Sequence, residues 1–249
     1  MRRIENWLML LVVALAAFVG VSIAHAPRLS SAAASDNPIV RDIAARKIVR
    51  NTDAPAPSRT VDVRAKIAEV PGTYLGEILG EQGNQLVRWP DSDRQPLRVW
   101  VQSASTLRDW NDTYVQMARD AIGDWQEAQV PLRFKFVLDS VGAEIRLEWA
   151  DQFPASLGLR VGTTALTYDQ FGWIAGATIT ITLHDSLGVV IPGSALAGIV
   201  RHESGHAIGL GHSSDPKTKM YPVETTTDIQ PADRATLALL YTLPPGPVR

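Results

Sequence analysis

Arg201–Ser213 reads R-H-E-S-G-H-A-I-G-L-G-H-S and holds three of the chain's five histidines within eleven residues. His202 and His206 are four apart, so on a helix they share one face, with Cβ atoms about 5–6 Å from each other. Two imidazoles at that separation can meet one ion at Zn–N distances of about 2.0–2.1 Å. Glu203 follows the first histidine on the same side, where it reaches a water on the ion rather than the ion itself. Gly209 gives the backbone freedom to end the helix with positive φ. His212 comes three residues later and is the third candidate ligand. Three neutral protein ligands leave a fourth corner for water, the open arrangement of a catalytic zinc rather than the closed one of a structural site.

The extended pattern H-E-x-x-H-x-x-G-x-x-H resembles that of the metzincin metallopeptidases, whose sites also have a tight turn with a methionine beneath the metal. Met220, eight residues after His212 inside K-M-Y-P, matches that methionine. Ser213 and the run S-S-D-P-K-T-K-M-Y-P are similar to the matrixin branch. The resemblance spans roughly Leu97–Thr242 and implies a zinc endopeptidase with one catalytic Zn2+. It implies Glu203 as general base, Met220 as a soft packing floor, and Tyr221 and Pro222 as part of the wall of the primed-side pocket. Some metzincins use a tyrosine two places after the methionine; Pro222 stands there in this chain, so that role is absent. Matrixins often carry a second, structural zinc and calcium. His184 alone cannot build the former and is read as a surface residue at a strand end. Asp139, Asp151 and Asp169 could help hold calcium, and the sequence does not choose between that role and plain solvent exposure.

The remainder of the chain is consistent with such an enzyme. Its 249 residues are 45% hydrophobic and 20% charged, a globular composition. A net charge of −2 gives no reason to expect nucleic acid as a partner. The absence of cysteine excludes disulfides and thiolate ligands. Arg2 and Arg3 precede Trp7–Ala24, eighteen residues without formal charge. This reads as an export segment, either a cleaved signal peptide or a membrane anchor, and its length tips the reading towards an anchor. The bulk of the chain is then extracytoplasmic, tethered or secreted.

Pro27 to about Arg59, rich in Ala, Ser and Pro, reads as a tether with a short helix through Val40–Val49. Val61–Val70 alternates apolar and polar residues and predicts a strand. The glycine-punctuated stretch after it has no clear assignment. Glu77 and Glu81 within it are read as surface carboxylates, the alternative being oxygen ligands of a pro-segment that caps the metal. Further on, strands are predicted at Leu97–Gln102, Leu132–Leu138, Ala143–Trp149, Val161–Tyr168 and Gly176–Leu183. A long amphipathic helix is predicted over Leu107–Gln129 with Ser105 or Thr106 as N-cap. Pro192–Gly209 is the active-site helix and Pro231–Tyr241 the last one.

This order predicts an α+β fold: a mixed, twisted five-stranded sheet with a long helix and an active-site helix, the metzincin architecture. The expected domains are 1–26 (signal peptide or anchor), 27–85 (linker that could hold a short pro-segment) and 86–249 (peptidase). Val161–Tyr168 is the candidate edge strand on which a polypeptide substrate would add as a further strand. The competing reading is a tethered, non-catalytic peptide-binding module on the same fold; an intact Glu203, of no use to a binder, argues against it. Nothing in the sequence specifies oligomeric state.

Overall fold

The computed structural model describes residues 62–91, 95–223 and 225–248. The export segment, the tether and the helix expected at Val40–Val49 lie outside the described residues. Among those described, no helix is long and apolar enough to cross a membrane.

A short strand, β1 (Gln85–Leu86), precedes five longer ones: β2 (Leu97–Val101), β3 (Phe134–Val137), β4 (Ile145–Ala150), β5 (Gly162–Tyr168) and β6 (Ile174–Thr182). The five form one mixed sheet in the order β3-β2-β4-β6-β5. Four run parallel and β5 alone is antiparallel to its neighbour. Alternation explains the facing: Leu97, Val99 and Val101 of β2 are buried while Arg98 is exposed, and Ile145, Leu147 and Trp149 of β4 are buried. β6, held between β4 and β5, is buried along nearly its whole length. β5 lies at an edge, as expected of Val161–Tyr168.

The helices that frame the site are α3 (Thr113–Gly123), α4 (Gly193–Ala207) and α5 (Pro231–Thr242). α4 rests on β5 and β6 with Leu196, Ile199 and Val200 buried, and α3 packs against α4. Trp125, on a 3-10 turn that continues α3 through Ala128, donates its indole N–H to Arg201 O at 2.9 Å. α3 is shorter than predicted. Asp109 holds a positive φ of 61°, and Asn111, not Ser105 or Thr106, accepts from the backbone N–H at Thr113. The apolar spacing that suggested six further residues of helix comes from Leu107 and Trp110 packing on the core from an irregular loop.

Two shorter helices precede the sheet, α1 (Val63–Glu69) and α2 (Leu75–Glu81). The strand predicted at Val61–Val70 is therefore a helix. Asp62 caps it by accepting from Ala65 N at 3.0 Å, and Val63 and Ile67, one turn apart, face the core. Alternation and helical spacing are both satisfied by this short string, and the cap decides. α2 buries Leu75, Ile78 and Leu79, each contributing roughly 1.5–3 kcal/mol. Docking is what holds a helix of seven residues, too short to persist alone. β1 pairs antiparallel with β7 (Gly246–Pro247), so the stretch that follows α2 is closed against the last described residues.

Asp233 is the polar hub of this closure. Fully buried at the start of α5, it accepts from Tyr74 Oη at 2.9 Å, Lys219 N at 2.8 Å and Gln230 N at 2.8 Å. Replacing Asp233 by Ala strands two buried donors and a half-buried one at once, so we expect a loss of about 2–4 kcal/mol in denaturant unfolding. A loss below about 0.5 kcal/mol would show that the hub carries no stability.

Candidate metal centre

α4 carries His202 and His206 on the face turned from the core stripe of Leu196 and Val200. Its end is set by Gly209, at φ 105°. A Cβ there would collide with the Val87 carbonyl and crowd the Leu240 side chain, so glycine is required for conformation and for space alike. The chain then turns back and brings His212 across from the helix. Ring centroids lie 4.6 Å apart for His202–His206, 4.9 Å for His206–His212 and 5.6 Å for His202–His212. One ligating nitrogen from each ring falls within 4.8 Å of the others.

The tautomers follow from the partners. His202 Nδ1 lies 2.9 Å from Lys219 O and His206 Nδ1 lies 2.7 Å from Leu210 O. A carbonyl only accepts, so both Nδ1 atoms carry the proton and both Nε2 atoms present lone pairs. His212 Nδ1 lies 2.7 Å from a carboxylate oxygen of Glu81, with the same consequence. The Nε2 atoms of His202 and His206 thus face each other at 2.9 Å, lone pair towards lone pair. His212 Nε2 is buried without a hydrogen-bond partner among the described residues. Three acceptors turned together, with no donor to them among the described residues, fit a cation.

Burial also keeps the first two rings neutral. Desolvation, aided by the nearby His212, lowers the His202 pKa to about 3 and that of His206 well below the ordinary imidazole value. Neutral imidazole is the ligating form. Glu81 is held below its usual carboxylate range by its hydrogen bond to His212.

Glu203 is buried one residue after His202. Thr164 Oγ1 of β5 lies 2.7 Å from one Glu203 carboxylate oxygen and 2.9 Å from the Glu203 carbonyl. Gly162, at the start of β5, permits this approach: a Cβ there would overlap the Glu203 carboxylate and Ile199. Met220 is fully buried and its sulfur lies against Gly205, where a Cβ would overlap it, so the thioether sits under the helix between the two histidines. Ser213 N donates to Met220 O at 3.0 Å, tying the third-histidine segment to the methionine turn. Tyr221 and Pro222 follow, half-buried.

With this geometry in hand, comparison with known families is direct. A sequence profile described as Matrixin matches residues 97–242, more than half of the chain. The chain belongs to the matrixin family. Matrixins are zinc-dependent peptidases, so the chain is a zinc metallopeptidase in that general sense and polypeptides are its substrates. Comparison with curated proteins finds no match.

Several contacts of this matrixin differ from the sequence reading. His184 is not a surface residue: it is 1% exposed, with Nε2 2.9 Å from Asp109 and Nδ1 2.8 Å from Asp151. The same pair draws Asp151 away from a free loop role. Asp139 and Asp169 accept backbone N–H groups of their own turns, from Val141 and from Phe171 and Trp173. Glu77 and Glu81 reach the His212 segment, but neither faces the common point of the Nε2 atoms. Glu77 accepts from Ser214 N at 2.6 Å and Glu81 from His212 N at 2.8 Å. Thr164 and Asp233 went unread because strand threonines and helix-start aspartates are common. The four-residue spacing of Glu77 and Glu81 was the available clue to a shared helix face.

The depressed imidazole values set a sign for stability. Between pH 6.5 and about 3 the unfolded chain binds a proton on His202 that the folded chain does not, and the downward shift at His206 acts in the same direction. Stability is therefore present above pH 6.5 and falls on acidification, by up to about 1.4 kcal/mol per pH unit for each ring. We expect metal-free protein to unfold at lower denaturant concentration at pH 5 than at pH 7. Equal midpoints would mean that the rings are not buried neutral.

Proposed function

We propose that the chain is a zinc endopeptidase acting outside the cytoplasm, in which His202, His206 and His212 hold the metal and Glu203 is the general base. The observation that carries the reading is the convergence of three Nε2 lone pairs whose Nδ1 protons are all already engaged. Zinc bound there supplies Lewis acidity, making water a usable nucleophile near neutral pH and polarising the scissile carbonyl.

The chain's own groups do the rest. The Glu203 carboxylate accepts the proton of the attacking water and returns it to the departing amine nitrogen. Thr164 restrains the carboxylate, and its burial strengthens each electrostatic contact. β5 offers an edge on which an extended segment of substrate adds by main-chain hydrogen bonds, beside Gly162 and hence beside Glu203. Met220 takes no part in proton transfer; it supports the rings from below. Tyr221 and Pro222 form part of the wall of the primed-side pocket. The export segment Trp7–Ala24 carries the domain across the membrane and either anchors it there or is removed.

Activity on an unfolded protein substrate should vanish on treatment with a chelator and return with Zn2+. Glu203→Gln should retain zinc yet lower kcat by about 10²–10⁴-fold. Full activity in that variant would remove the proposed base. A wild-type protein that binds peptides with zinc present but never cleaves them would instead be a binding module.

A further inference from the structure

Two of the three histidines take backbone carbonyls of their own neighbourhood as Nδ1 acceptors, Lys219 O and Leu210 O. The third does not. His212 is met by Glu81, 131 residues earlier in the chain and before the stretch matched by the family profile. The contact is doubled: one carboxylate oxygen lies 2.7 Å from His212 Nδ1, and the other accepts the His212 backbone N–H at 2.8 Å. Side chain and main chain of a single residue are gripped by a single carboxylate. We propose that Glu81 is a positioning residue of the metal centre, holding His212 with its Nε2 towards the other two rings. This inference rests on the zinc-peptidase reading above.

The surroundings are built for that grip. Gly211 precedes His212, and a Cβ there would lie 2.6 Å from the Glu81 carboxylate and 3.3 Å from Ile78, so the close approach needs a glycine. One turn earlier on α2, Glu77 accepts Ser214 N, so two carboxylates on one helix face hold the His212 segment at two points, His212 and Ser214. The opposite face of α2 is anchored by Leu75, Ile78 and Leu79 in the core. Tyr74, at its start, is tied to α5 through Asp233 and by donation of its N–H to Thr236 Oγ1 at 3.1 Å. Beyond α2, Trp89 donates its indole N–H to Ala207 O at 2.8 Å, at the end of the helix that carries His202 and His206. The segment 74–89 therefore wraps the turn between the second and third histidines.

Chemistry supports the assignment. A carboxylate on the far nitrogen of a ligating imidazole fixes the tautomer and ring orientation and raises ligand basicity, and losing such a partner costs about 10–100-fold in metal affinity. His212 needs this more than the other two. They stand on a helix, whereas it stands on an extended turn and is the more exposed, at 17% of its side chain. A segment lying before the family match would otherwise read as a removable cover. On this inference its loss weakens the centre instead of uncovering it.

The test is Zn2+ affinity of the full-length chain, measured by competition with a chromophoric chelator, together with thermal unfolding of the metal-free protein. Glu81→Ala should weaken zinc binding by about 10–100-fold. Glu81→Gln keeps one acceptor without the charge and should recover part of the loss. In a His212→Ala background Glu81→Ala should have no further effect, because the group through which it acts is gone. Unchanged affinity in Glu81→Ala, or an equal loss in the His212→Ala background, would overturn the proposal. So would tighter binding or raised peptidase activity in Glu81→Ala, which would mark the segment as a cover. Should Glu81→Ala not fold, the Glu81→Gln comparison alone decides by the same criteria. His202→Ala separates the two levels. If it too leaves zinc affinity unchanged, the metal-centre reading itself fails; if it abolishes binding while Glu81→Ala does not, only the role of Glu81 falls.

Discussion

An imidazole has two nitrogens, and only one can carry the proton in the neutral ring. In this protein the outer nitrogen of each of His202, His206 and His212 has an acceptor, so the inner nitrogens are bare and face each other. That arrangement is unfavourable without a cation: lone pairs 2.9 Å apart repel, and a buried acceptor without a donor has lost water for nothing. The remainder of the fold can be understood as what forces three rings into this position and keeps them there. The Lys219 and Leu210 carbonyls are presented by the methionine turn and by the reversal at Gly209. The Glu81 carboxylate is presented by a helix from the opposite end of the chain.

Close approach is the second requirement, and glycine meets it. Gly205 lets the Met220 sulfur lie against α4 between the two helical histidines, and Gly209 lets the Val87 carbonyl lie against the end of that helix. The apolar core behind these contacts is continuous. It runs from Leu75 and Ile78 of α2, through Trp89 and Trp125, to Leu237 and Leu240 of α5. Close-packed protein interiors do not yield locally. The buried Asp233 couples the start of α2, the methionine turn and the start of α5, so the floor beneath the rings and the segment gripping His212 share one anchor.

Reading from residues alone went far at the site and less far at its supports. H-E-x-x-H-x-x-G-x-x-H places His202, Glu203 and His206 on one helix by a four-residue spacing, which is local geometry and needs no tertiary information. The alternation of β4 and the strict apolar–threonine alternation of β6 are likewise local. Val61–Val70 suggests a strand but holds a seven-residue helix, because so short a string can satisfy both a two-residue and a 3.6-residue period. Only the Asp62 cap and the docking of Val63 and Ile67 separate them. α3 starts later than its apolar spacing suggests because Trp110 packs on the core from a loop, imitating a helical stripe. The sequence suggests a surface place for His184 because a strand end is usually exposed. The aspartates that bury it, Asp109 and Asp151, come from two separate loops.

The sequence by itself determined which side chains are available for the chemistry: three imidazoles, a carboxylate beside the first of them, and a glycine that turns the chain between the second and third. These follow from spacing within about ten residues, where the helix period leaves few alternatives. The tertiary structure alone decided what holds each ring in register. The acceptors of the Nδ1 protons are two backbone carbonyls and a glutamate 131 residues away. A carbonyl has no side-chain signature, and a distant carboxylate has no spacing rule. Only the folded chain brings them to the rings.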